Sequence, residues 1–143
     1  MAGSFNFYQS WLDYYSEAAN MASDTFTVLL TTSSYTPSAS THSLLADITN
    51  ELSGSGYARQ ALAGVSSSQT SGVYAFDAND TVFTASGGSI TARYWVLFND
   101  TLADDPLVAY GLLDDTPADV TATDGNDLTI QWGANGIIRV TIV

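Results

Sequence analysis

Residues 90–98 read ITARYWVLF and residues 107–113 read LVAYGLL. Both runs are strand-length and rich in β-branched and aromatic side chains, and each is bounded by turn-forming residues. Side chains alternate across a strand, so Ile90, Ala92, Tyr94, Val96 and Phe98 are predicted to fill one face of the first run, with Trp95 and Leu97 on the other beside Arg93. In the second run Val108, Tyr110 and Leu112 are predicted opposite Leu107, Ala109 and Leu113. A sandwich strand in a lone monomer usually needs one apolar face. The second face therefore calls for a cover, either the N-terminal helix or another subunit, or both.

Flanking segments extend the same reading. Further strands are expected at Thr25–Thr31, Val73–Phe76, Thr81–Ala85, Leu128–Trp132 and Ile137–Val143, the last two joined by GANG as a terminal hairpin. Tyr8, Trp11, Leu12, Tyr15 and Ala18 recur at helical spacing, which predicts a short amphipathic helix within Tyr8–Met21, preceded by an arm carrying Phe5 and Phe7. Leu44, Leu45 and Ile48 predict one further short helix in Thr41–Asn50, with Thr41 or Ser43 as its N-cap. Pro37 and the Ser/Thr cluster around it make a loop, and GVSSSQTSG (64–72) reads as a surface loop or weak edge strand. The fold class is thus mainly β: an antiparallel β-sandwich over 23–143, with an N-terminal arm and amphipathic helix over 1–22. No βαβ rhythm or internal repeat is present.

Composition narrows the function. With 143 residues the chain suits one domain, and its apolar content of 45% is that of a chain that folds. Three Arg, no Lys and fifteen acidic residues give a net charge of -12, which argues against nucleic acid and against anionic membranes as partners. Without cysteine there are no disulfides, thiolate metal sites or cysteine nucleophiles. Residues 1–12 lack the basic and continuous apolar regions of a signal peptide, and no apolar run approaches the roughly 20 residues that span a bilayer. The expectation is a protein made and kept soluble in a cytosol.

Residues with catalytic potential do not form a motif. His42 is the single histidine and stands at a loop-to-helix junction, where a local hydrogen bond accounts for it better than service as a base to a serine. Asp104-Asp105 and Asp114-Asp115 flank strand ends as solvated turns. DAND (77–80) and DGND (124–127) could offer oxygens to Ca²⁺, but neither has the spacing of an EF-hand, and turn geometry is the favoured reading. No catalytic residue, metal set or cofactor is expected, and the chain is read as a non-enzyme.

Five segments taken in order, LLTTSSYTPSASTHSLLADI (29–48), ELSGSGYA (51–58), ITARYWVLFNDT (90–101), LVAYGLLDD (107–115) and TIQWGANGII (129–138), resemble a family of small bacteriophage virion structural proteins. That resemblance runs from about Asp24 onward and implies a capsid cement or decoration protein on the outer surface of the head, made in the host cytoplasm. Its implied partners are the major capsid protein and copies of itself, as a homotrimer. Tyr35, Pro37, His42, Gly54, Gly56, Tyr57, Arg93, Tyr94, Trp132 and Gly136 carry over as positions for turn geometry and packing. The alternative is a tail or fibre component that binds host-surface glycan through Trp11, Trp95 or Trp132. For the cement reading the candidate interface is Phe5, Phe7, Trp11, Arg93, Trp95, Leu97, Val108, Tyr110 and Leu112.

Overall fold

The computed structural model describes residues 3–143; Met1 and Ala2 of the expected arm lie outside the described residues. It is mainly β and antiparallel throughout. The largest sheet has five strands in the order β1 (Asn6–Phe7), β9 (Leu107–Leu112), β8 (Tyr94–Asn99), β2 (Phe26–Thr31) and β3 (Gln60–Ala61). Against it pack three smaller ladders. These are β12 (Ile138–Thr141) with β5 (Val73–Asp77) and β4 (Ser66–Thr70), β11 (Asp127–Ile130) with β6 (Thr81–Thr84), and β10 (Val120–Ala122) with β7 (Ile90–Ala92). Among the described residues one helix, α1 (Trp11–Glu17), and a single 3-10 turn at Leu45–Asp47 complete the structure.

Every residue of β2 is buried because the strand lies between β8 and β3 and is covered on both faces. One face joins Phe26, Val28 and Leu30 to Trp95, Leu97, Phe76, Phe83 and Ile138 in the main core. The opposite face joins Leu29 to Val96, Phe98, Leu107, Tyr8 and Tyr35 in a second, smaller core. Tyr8 of the N-terminal segment supplies part of its cover, and the rest comes from a segment not anticipated. Residues 32–50 fold back over this face as a closed loop that contributes Tyr35, Leu45 and Ile48. A Thr31–Glu51 bridge and a Thr32 N–H bond to the Asn50 carbonyl (3.0 Å) close its ends. The Leu45 N–H donates to Asp105 O at 3.0 Å and the Leu107 N–H to Ser43 O at 2.9 Å, tying the loop to the sheet. Such a loop brings its own small core with it.

Two breaks in alternation correct the predicted faces. Ile90 and Ala92 share the main core with Trp95 and Leu97, not a face with Tyr94, Val96 and Phe98. Between them Arg93 acts as a corner: its N–H donates to Thr31 O (2.9 Å) and its carbonyl accepts from Leu113 N (3.0 Å) while the chain passes from one sheet to another. In β9 the register shift opposite Leu97/Phe98 places both Val108 and Ala109 in the main core, leaving Leu107 and Tyr110 on the other face.

The C-terminal hairpin does not form either. β11 pairs with β6 and β12 with β5, so GANG links two ladders rather than two neighbouring strands. At Gly136 φ is +92°, and a Cβ there would come within 2.8 Å of Phe76 O, so the position demands glycine. The short helix shrinks to its 3-10 turn, capped from Leu44 rather than Thr41 or Ser43; the Asp47 carboxylate accepts from Ser43 N (2.8 Å) and Leu44 N (3.0 Å). The N-terminal arm is part of the domain. β1 adds to β9, and Tyr8 and Trp11 are fully enclosed.

Candidate interaction surface

The structure divides the nine predicted interface residues. Trp11, Trp95, Leu97 and Val108 are at most 4% exposed and belong to the chain's own core, which removes them from any outer face. Trp11 meets Phe26 edge-on at 6.0 Å, and Trp95 meets Trp132 edge-on at 5.3 Å. Arg93 is tied to Asp119 through a 2.8 Å ion pair. Tyr110 is half-buried over the Tyr8 ring, and Leu112 is half-buried beside Trp95. Phe5 and Phe7 alone of the nine are exposed.

Exposed apolar side chains gather elsewhere. A groove of about 260 Å³ runs between the N-terminal segment and β12, lined by Phe7, Trp11, Leu12, Tyr15, Ile138 and Val140 and bordered by Arg139. Leu12 is 70% exposed and Val140 47%, with Ile142 beyond them at 79%. Sequence reasoning missed all three. Leu12 was assigned to the core stripe, but α1 buries only the adjacent Trp11. Val140 is exposed because β12 is an edge strand, which depends on a long-range pairing no local pattern encodes.

Charge follows the same division. All fifteen acidic residues fall between Asp13 and Asp127; the side chains that line the groove hold Arg139 as their single charge, and the exposed Asp13 of α1 follows Leu12. Arg59 grips Glu51 at 2.7 and 2.8 Å, and Tyr57 donates to the same carboxylate at 2.9 Å. Burial pushes the Glu51 carboxyl up, but these bonds outweigh it and hold it below the usual range. Arg139 reaches only the Asn135 amide oxygen, at 3.1 Å. It is the one arginine without a carboxylate partner among the described residues.

A second recess, about 310 Å³, is walled by Phe5, Trp95 and Trp132 with Asp115 and Gln131 at its polar side. Trp132 is fixed there by a bond from its indole N–H to Thr81 Oγ1 at 3.2 Å.

The single histidine serves the loop cover. His42 Nδ1 lies 2.9 Å from the Tyr35 hydroxyl, which lies 2.9 Å from that of Tyr8. Burial raises the pKa of both tyrosines, keeping the hydroxyls protonated. The carboxylates of DAND and DGND accept local and cross-ladder bonds. Asp77 takes the Ala78 N–H (2.9 Å), Asp80 the Trp132 N–H (3.1 Å), Asp124 the Gly87 N–H (2.8 Å) and Asp127 the Thr84 hydroxyl (2.6 Å). Among the described residues no three His, Asp or Glu gather as a metal set, and no helix is long and apolar enough to cross a membrane.

Comparison with protein-family models, with characterised proteins and with solved structures gives no match for this chain. Fold and site alone define its class: an antiparallel β-sandwich whose apolar and charge asymmetries converge on one open edge.

Proposed function

We propose that this chain is a non-enzymatic structural protein of a bacteriophage particle, a capsid cement or decoration protein that docks on the outside of the shell against the major capsid protein. One observation supports the reading above others: five of the ten positions carried over from the resemblance, Tyr35, His42, Tyr57, Arg93 and Gly136, make contacts that hold this architecture together. Tyr35 and His42 lock the loop over the second core. Tyr57 accepts the Leu30 N–H at 3.0 Å and binds Glu51, Arg93 makes the corner between sheets, and Gly136 fits against β5. A resemblance concentrated in such positions is what a family selected for a rigid building block would share. The acidic body suits an outer position, where packaged DNA does not repel it and basic patches on a shell attract it.

The case for self-association changes. Apolar area on the second sheet face was the reason to expect an oligomer, and the chain covers that face itself. The trimer rests on the resemblance alone. Adding the purified protein to shells stripped of their decoration is expected to raise the temperature at which they rupture, because a ligand of the intact lattice stabilises it at every site. Density for the protein on the tail, with unchanged shell rupture, overturns the proposal.

The second reading, a tail or fibre component binding host glycan, draws on the aromatic recess, since Trp132 and Phe5 offer faces for a sugar ring beside the Asp115 carboxylate. Saturable quenching of tryptophan fluorescence by a host-surface oligosaccharide, lost in Trp132→Ala, is its expected sign.

A further inference from the structure

We infer that the free edge of β12 and the groove beside it receive an extended segment of another protein, apolar at alternate positions and carrying a carboxylate that meets Arg139. This goes beyond the particle reading and stands without it.

The strand order β12-β5-β4 leaves one side of β12 unpaired. Its neighbouring backbone bonds run toward β5, from Ile137 N to Phe76 O (2.7 Å) and from Ile142 N to Gly72 O (2.9 Å). The opposite edge is a row of donors and acceptors of the kind that takes up an added strand. Soluble proteins blunt such an edge with charge, proline or a covering loop. Here one charge, Arg139, stands on the strand, while Ile138 and Val140 lie at alternate positions along a groove whose other wall is Phe7, Trp11 and Leu12, with Ile142 just past the strand's end. An added strand would lay its own alternate apolar side chains into that groove.

The charge of the occupant follows from the groove. Its walls hold no acid, so a basic segment finds no counter-charge there. Arg139 lies on the sheet face of Ala75, Asp77 and Ser68, opposite Ile138 and Val140; it forms no ion pair with Asp77, whose carboxylate accepts the Ala78 N–H, and reaches only the Asn135 amide oxygen. A carboxylate at an outward-facing position of the incoming strand would sit beside it, where an opposite-charge cross-strand pair stabilises. A second copy joined edge to edge through β12 would instead bring Arg139 close to Arg139, with no acidic residue from Leu128 onward to separate the two charges.

The test uses the full chain and three capped peptides that alternate valine with threonine. In one the central threonine is replaced by aspartate, in another by lysine, and in the third it is kept. Fluorescence anisotropy at low salt is expected to rank them aspartate, threonine, lysine. Those amides of residues 138–141 that face away from β5 should become protected from hydrogen exchange on binding the first. Arg139→Glu, at an exposed position, is expected to weaken the aspartate peptide about tenfold and to invert the ranking. Leu12→Asp, also exposed, should weaken all three by closing the groove to apolar side chains. Equal binding of the charged peptides, or none at millimolar concentration, overturns the inference. So does a doubling of solution mass with the same amides protected in the absence of peptide, which would make a second copy the occupant.

Discussion

Replacing Tyr35 with alanine tests whether the second face of the central sheet is closed by the chain itself. Tyr35 is 1% exposed, stacks on His42 with centroids 5.6 Å apart, and meets Tyr94 edge-on at 6.0 Å. Truncating a buried aromatic costs about 3–5 kcal/mol through lost transfer energy and the cavity left behind. The Tyr8 hydroxyl, otherwise 2.9 Å from that of Tyr35, also loses its partner inside the core, adding roughly 1 kcal/mol. A total of about 4–6 kcal/mol is a large share of the roughly 5–15 kcal/mol typical of a domain and corresponds to roughly 15–20 °C in Tm. Urea unfolding supplies the free energy. Hydrogen exchange supplies the location, with the amides of Thr32, Leu45 and Ile48 expected to lose protection first. Tyr35→Phe keeps the ring and removes only the hydroxyl, so about 1–2 kcal/mol is expected. A loss below about 1 kcal/mol for the alanine variant, with exchange in residues 32–50 unchanged, would refute the covering role of the loop.

Deleting residues 1–8 is expected to lower the urea midpoint sharply rather than trim a loose arm, because Tyr8 is fully buried against Tyr110 and Phe7 pairs with Ala109. Gly111→Ala places a Cβ against the Ser4 carbonyl oxygen and 2.6 Å from Trp95 Nε1, and a destabilisation of about 1–3 kcal/mol is expected. Most of that loss should vanish when the substitution is made in the chain lacking residues 1–8, a coupling that a double-mutant cycle measures. Asp47→Asn should destabilise at neutral pH and not in acid. The Ser43 and Leu44 N–H bonds hold the Asp47 carboxyl below the usual range, so its contribution is complete above the unfolded-state pKa of about 4 and fades as pH falls through the folded value. Urea midpoints of both proteins across pH 2–7 should converge at the acid end.

Local pattern revealed most of the strands and little of their pairing. Phe26–Thr31, Val73–Asp77 and Leu107–Leu112 stand where β-branched and aromatic content places them. Partners are a different matter, since β11 and β12 are close in sequence yet pair with β6 and β5, and nothing within GANG distinguishes a hairpin from a crossing between ladders. Faces were misjudged where alternation breaks, at the Arg93 corner and the Leu97/Phe98 register shift, because a one-residue slip moves every later side chain to the opposite face. That is why Trp95, Leu97 and Val108 read as surface and lie in the core. The loop cover escaped notice for a related reason. Pro37 and its Ser/Thr neighbours mark irregular backbone, which carries no period to link Tyr35 to Leu45 and Ile48, read as one face of a short helix.

The open edge has two properties that seldom coincide in one place. Apolar side chains left in water are ordinarily accompanied by charge, since charge keeps copies apart and blunts edge strands. In this chain most of the charge lies elsewhere: fourteen of the fifteen acids lie outside the exposed stretch of Phe7, Leu12, Val140 and Ile142, where the charges are Asp13, beside Leu12, and Arg139. Lack of room cannot explain the gap, because Gln9, Thr141 and Asn135 are exposed positions where an acid would fit without disturbing the core. An acid at Thr141 would also lie on the same sheet face as Arg139 and neutralise it from within the chain. The extended segment inferred above would cover these side chains and pair that cation from outside the chain.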